Sequence, residues 1–286
     1  MGSLKTLALA GAMALGASAI ANAADFAPLP PPPPEPLGLK GTIGHGWYLR
    51  GDVGVGVQSV DKYEQRDVAA FGGRFFGKTE ETAFFGGIGA GYRFNNWFRV
   101  DVTGEYRGGS SIGVNDIVFN PFANVNQTNT YKGNLSSMVA LFNAYVDLGT
   151  WNCLTPYLGA GIGYASNRIS GLTDQGVVGG AATLATSGTG TQSGLAWALM
   201  AGVGYEVNQN LTLEFGYRYL NLGDAQSGLL HNALTVPAET YSPLKAKDID
   251  SHDFKIGMRW NFGDPDCCGP VERPVAYAPA PVVRKY

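Results

Sequence analysis

Ser251, His252 and Asp253 stand side by side near the end of this 286-residue chain and carry the residue types of a nucleophile, a base and its orienting acid. The residue types suit acyl transfer but the spacing does not. The run falls in an alternating segment, where His252 faces one side and its two neighbours face the other, so the three cannot form a triad by themselves. The other histidines, His45 and His231, make no i, i+4 pair and stand beside no carboxylates placed for a metal. No nucleophile elbow or phosphate-cradling loop occurs. The chain is expected to be no enzyme and to need neither a metal nor a cofactor. Its abundant chemistry is ionic. Arg50, Arg93, Arg99, Arg107, Arg218, Lys255 and Arg259 are matched by Asp52, Asp101, Glu105, Asp147, Glu206, Glu214 and Asp253, seven bases against seven acids.

These charges sit on segments of period two. In Trp97 to Arg107, Phe98, Val100, Val102 and Tyr106 share one face, and Arg99, Asp101, Glu105 and Arg107 share the other. The same alternation recurs at Trp47 to Val57, Phe84 to Phe94, Met138 to Leu148, Leu158 to Tyr164, Leu195 to Glu206, Leu211 to Tyr219 and Phe254 to Phe262. Eight strands result, most of them as long as the 9–11 residues that cross a bilayer at a tilt. The composition agrees. With 12% aromatic and only 15% charged residues the chain is not disordered. A net charge of -3 argues against a nucleic-acid partner, and 41 glycines without a triplet period exclude collagen and disfavour helix.

Short turns at Asn95-Asn96, around Trp151-Asn152 and at Asn208 to Asn210 alternate with long polar stretches. Those stretches are Gln58 to Thr82, Gly108 to Asn134, Ser166 to Gln192 and Asn221 to Asp248. This is the rhythm of an outer-membrane barrel, with both termini and the short turns on the periplasmic side. The apolar face must meet lipid, because each outward Arg near the midplane would cost about 2–4 kcal/mol. The expected fold is all-β, an eight-stranded antiparallel transmembrane β-barrel with up-and-down connections. The inward charges then read as a salt-bridged plug, with an ion path or ligand site as the alternative, since eight strands enclose an interior just wide enough for side chains. The Gly-, Ser- and Thr-rich stretch Gly171 to Gly194 and the Asn-rich stretch Asn115 to Tyr131 read as exposed loops, open to a host or sugar partner.

The runs PYLGAGIGYA (Pro156 to Ala165), LAWALMAGVGYEVNQNLTLEFGYRYLNLGD (Leu195 to Asp224) and HDFKIGMRWNF (His252 to Phe262) add a likeness over about Trp47 to Phe262. The chain resembles the small alphaproteobacterial outer-membrane barrels of the Omp25/Omp31, opacity-protein-like group. The resemblance implies an abundant surface barrel that supports envelope integrity. It also implies, as alternatives, a narrow porin-like pore or a surface adhesin or haem-binding barrel. The expected partners are outer-membrane lipids and the barrel-assembly machinery, which would read the terminal aromatic Phe262, here followed by a 24-residue tail.

At the N-terminus, Lys5, the apolar run Thr6 to Ile20 and the small residues Ala21 and Ala23 read as a cleavable signal peptide over 1–23. Residues 24–45 follow as a periplasmic linker stiffened by Pro30 to Pro34, residues 46–262 as the barrel, and 263–286 as a Pro-rich periplasmic tail. Cleavage would leave Ala24-Asp25, and the resemblance implies attachment of such an N-terminus to peptidoglycan by an L,D-transpeptidase. Cys153 in a short turn and Cys267 and Cys268 beyond the last strand all fall at the oxidising periplasmic end, where Cys153 is placed to bridge to either neighbour.

Overall fold

The computed structural model describes residues 46–120, 125–234 and 239–262. The segments expected to be a signal peptide, a linker with Ala24, Asp25 and His45, and a tail with Cys267 and Cys268 lie outside the described residues. Twelve strands appear among those described. They are β1 (Gly46–Glu64), β2 (Arg74–Phe76), β3 (Glu81–Arg93), β4 (Phe98–Asn120), β5 (Val125–Asp147), β6 (Leu154–Val178), β7 (Ala181–Ser187), β8 (Gly190–Glu206), β9 (Leu211–Gln226), β10 (Leu230–Asn232), β11 (Thr240–Tyr241) and β12 (Lys245–Asn261), with one short helix, α1 (Arg66–Ala70), after β1. Eight of the strands form an antiparallel ring in the order β1, β3, β4, β5, β6, β8, β9, β12. It is closed by pairing of β1 with β12 from Tyr48↔Asn261 to Glu64↔Lys245.

The ring turns tightly at one end for local chemical reasons. The Asn95 side-chain oxygen accepts the backbone N–H groups of Trp97 and Phe98 at 3.0 and 2.7 Å. Asn208 does the same for Asn210 and Leu211, both at 2.9 Å, so each asparagine builds its own turn. At the third turn Asn152 and Cys153 take positive φ values of 49° and 66°.

Above these turns the outward face is a continuous apolar band. It includes Leu49, Val53, Ile88, Val102, Phe142, Ile162, Leu199, Phe215 and Ile256. Trp47 and Tyr92 stack edge to face at the short-turn rim, and Trp197 and Tyr219 pack together at the other margin. Ten steps from Trp47 to Val57, at about 3.3 Å each and tilted about 40°, give a height of about 25 Å, the thickness of an outer-membrane apolar girdle.

At the opposite end the structure departs from the expected loops. Large parts of the four long polar stretches are strand. β4, β5 and β6 run on far past the band, and β2, β7, β10 and β11 flank them. The alternation changes phase on the way out. Inward residues in β4 are odd-numbered up to Arg107 and even-numbered from Ser110, with a bulge at Gly109, whose φ is +78°. β6 slips the same way at Gly171, where φ is +60°, and β12 at Asp248, where φ is +49°. Glycine reaches these left-handed conformations without a Cβ clash, and Asp is among the few other residues that visit them. Beyond the bulges the cap buries Ile112, Val114, Tyr131, Leu135, Leu172, Leu222, Leu230, Leu244 and Ile249 in an apolar interior.

Candidate functional site

The barrel lumen holds the charged residues in two tiers. In the first, Arg50 uses all five of its N–H donors. Two go to the Asp52 carboxylate at 2.9 and 2.8 Å, and one each to Asp101 at 2.8 Å, Tyr145 Oη at 2.9 Å and Glu214 at 3.1 Å. Asp101 also accepts from Tyr48 Oη at 3.1 Å and from Asn143 at 2.8 Å. Glu214 faces three guanidiniums. Besides Arg50, its Oε1 lies 3.2 Å from Arg99 Nη1 and 3.0 Å from Arg259 Nη1. These last two contacts are ionic without hydrogen-bond alignment. Arg99 reaches Asp147 at 3.2 Å and lies over the Tyr145 and Tyr157 rings at 4.2 and 4.9 Å, and Lys255 stands 3.7 Å from Asp52.

The second tier sits closer to the cap. Arg107 donates to Asp253 at 2.6 and 2.9 Å, to Glu105 at 2.8 Å and to Ser251 Oγ at 2.7 Å. Arg218 completes the ring through Asp253 at 2.9 Å and Glu105 at 2.8 and 2.9 Å. Both guanidiniums lie against the Phe85 ring at 4.7 and 4.9 Å. A buried charge is tolerated when it is paired and its remaining donors are satisfied, and the cation–π contacts add to that. The cavity lined by residues of both tiers, among them Asp52, Glu105, Arg218 and Lys255, is about 10 Å³, room for a single water at most.

Of the fourteen residues expected to face inward, twelve converge in these tiers. Arg93 and Glu206 end β3 and β8 at the short-turn rim and are half-buried. Tyr157 and Phe85 were not among them, because an inward ring in an aromatic-rich strand looks like an outward one. The inward glycines were their trace. A Cβ on Gly54 would lie 2.5 Å from the Phe85 ring, and one on Gly202 would lie 2.7 Å from the Tyr157 ring. The glycines therefore make room for rings as well as for Arg and Glu chains.

Ser251 and Asp253 point into the lumen, with Ser251 Oγ donating to Asp253 at 2.6 Å. His252 points out, its Nδ1 2.6 Å from Tyr217 Oη, so the three residues lie on opposite sides of the wall. His231 contacts Thr240 Oγ1 in the cap. Among the described residues no set of three or more His, Cys, Asp or Glu side chains is placed to hold a metal. Cys153 is a half-buried free thiol, and both of its expected partners lie outside the described residues. On the outer wall just above the band, Ser59, Asp61, Lys78, Glu80, Asp248 and Asp250 are among the residues lining an open cavity of about 540 Å³.

The architecture has relatives. An uncharacterized protein of Brucella suis biovar 1 is 32% identical over 281 residues, covering 85% of this chain and 93% of its own length. A Rickettsia canadensis protein whose description proposes an adhesin is 29% identical, with 63% of this chain and 74% of that protein covered. Among solved structures, the outer membrane protein OprG from Pseudomonas aeruginosa aligns with a TM-score of 0.45 and 14% identity, over 78% of this chain and 98% of that one. The model of the outer membrane protein beta-barrel domain matches residues 7–262. The chain belongs to the outer-membrane β-barrel domain family and is a protein of the bacterial outer membrane.

Proposed function

We propose that the protein is a closed, non-conducting barrel that braces the outer membrane, in keeping with the Omp25/Omp31-like resemblance. One observation carries this reading: the two ionic tiers leave a cavity of about 10 Å³ between them, and the apolar interior of the cap stands above. An ion entering from either end meets charges already paired with one another, or buried leucines, instead of water. The expected result in planar bilayers is membrane insertion without steady single-channel conductance. Stable open-channel currents from the purified full chain would favour the porin-like alternative.

A tether to the wall extends the same reading. The linker and its N-terminal Ala24-Asp25 would start from the periplasmic, short-turn end, where β1 begins. A run of five prolines favours an extended polyproline conformation at about 3.1 Å per residue, which would suit a spacer toward the wall. Trypsin digestion of purified sacculi is expected to release peptides in which the Ala24 amine is joined to a muropeptide, detected by mass spectrometry. Recovery of the free amine alone would remove the tether and leave the brace. On the same side Cys153 would bridge to Cys267 or Cys268, and Phe262 would be read by the barrel-assembly machinery.

A second reading is a surface adhesin. It draws on the cap, whose paired strands present ordered polar surface well beyond the membrane, and on the adhesin description carried by a relative.

A further inference from the structure

Inside the cap, about ten residues beyond the outermost aromatic of β6, two carboxylates meet around one phenol. Tyr131 on β5 pairs in register with Asp174 on β6, and Asn129 pairs with Asp116 on β4. The Tyr131 hydroxyl lies 3.0 Å from Asp116 Oδ2 and 2.8 Å from Gln65 Oε1, and its register partner Asp174 faces it from β6. The Gln65 amide cannot turn to offer its N–H, because its Nε2 already donates to the Ser242 carbonyl at 2.9 Å. A single phenolic proton therefore confronts two acceptors and leaves nothing for the second carboxylate. Asn129 serves Asp116 through its side chain at 2.9 Å and its backbone at 3.2 Å, whereas Asp174 Oδ1 is buried and has no hydrogen-bond partner.

The basic groups of the surrounding elements, Arg66 on α1, Arg74 on β2, Lys132 on β5 and His231 on β10, are all exposed, and none pairs with either carboxylate. Gln127 on β5 donates to Asn129. β7 places Ala185 opposite Asp174, and β11 brings Tyr241, whose hydroxyl donates to Glu239. Tyr63 on β1 is buried, with Phe75 between it and Tyr131. None of the ion pairs of the described residues includes Asp116 or Asp174. The missing donor is one proton.

We propose that Asp116, Asp174 and Tyr131 form a proton-held latch, closing the cap while one carboxyl is protonated and loosening it as the surroundings become less acidic. The latch spans much of the cap. It joins β4, β5 and β6 to Gln65 beside α1, and through Ser242 to Asp67, whose carboxylate accepts from the Ser242 backbone and hydroxyl at 2.6 and 2.9 Å. Burial and the neighbouring Asp116 push the Asp174 carboxyl up to about 7, and burial raises Asp116 as well. The sign follows from linkage. An acid whose value is raised in the closed state binds its proton more tightly there than in the open state, where it titrates near 4. Closure is thus strongest below about pH 4, weakens up to about pH 7, and changes little above.

The test is amide hydrogen exchange of the full chain refolded in lipid vesicles, with each rate normalised to its intrinsic value at that pH. Protection of residues 112–116, 129–131 and 172–176 is expected to fall by up to about tenfold per pH unit between pH 4 and 7, while strand residues 139–146 within the band stay constant. Asp174→Asn should flatten the dependence, and an unchanged slope in that variant would overturn the latch. A parallel fall within the band would overturn it too, since the whole barrel would then be responding. If Asp174→Asn fails to refold, Asp116→Asn decides. Removing the like charge should move the loosening to lower pH, and an unmoved midpoint rejects the proposal.

Discussion

Glu214→Ala is expected to destabilise the folded barrel by about 3–5 kcal/mol, the cost of breaking a buried ion pair by removing one partner. The position is severe because one carboxylate stands among Arg50, Arg99 and Arg259, and all four side chains are almost wholly buried. Neutral water in the space left by the carboxylate would not cancel the charge of three guanidiniums cut off from bulk solvent. Glu214→Gln keeps the shape and an acceptor but not the charge, and should cost nearly as much. Urea unfolding of the vesicle-refolded protein, followed by tryptophan fluorescence, measures both. A loss under about 1 kcal/mol for Glu214→Ala would mean that water reaches the tier after all, and the filled-barrel reading would fall with it.

Ile88→Arg tests the opposite wall. Ile88 is 76% exposed on β3, four residues from both Phe84 and Tyr92, and its register partners are Gly51 on β1 and Gly104 on β4. No neighbouring side chain on those partners shields it, so an arginine there must enter lipid near mid-depth, at about 2–4 kcal/mol. Thr128→Arg, on the exposed outer face of β5 within the cap, should stay within about 0.5 kcal/mol. The same urea titration compares them. Equal, small effects at both positions would show that the apolar band is not in contact with lipid.

The sequence made the band legible because period two runs there without a slip. A face such as Phe98, Val100 and Val102 against Arg99, Asp101 and Arg107 reads as a strand, and its paired charges and the cost of turning arginines outward put lipid on the apolar side. The cap was not legible for two reasons. First, the bulges at Gly109, Gly171 and Asp248 shift the phase, so a pattern tracked from the band comes out inverted. Second, outside the membrane the polarity of the two faces reverses, with Leu135 and Ile169 turned inward and polar residues turned to water, and the mixture reads as loop. The charged residues of the tiers could be read from type and parity alone. Their aromatic partners Tyr157 and Phe85 could not, since a ring suits lipid and lumen equally. The latch was hidden for a related reason: Asp116 and Asp174 lay in stretches read as exposed loops, where a carboxylate draws no notice.

The bulged strands of the cap have a consequence for anything that meets the cell from outside. Because the ladder of β4, β5 and β6 resumes after the bulges and continues beyond the band, the described strand surface of the cap is set before a visitor arrives. A partner docking there would forgo most of the ordering entropy that a floppy loop demands, on the order of 0.5–1.5 kcal/mol for each side chain already held in place. Recognition at this surface would then be governed by fit, and by the acidity that sets how tightly the cap is held.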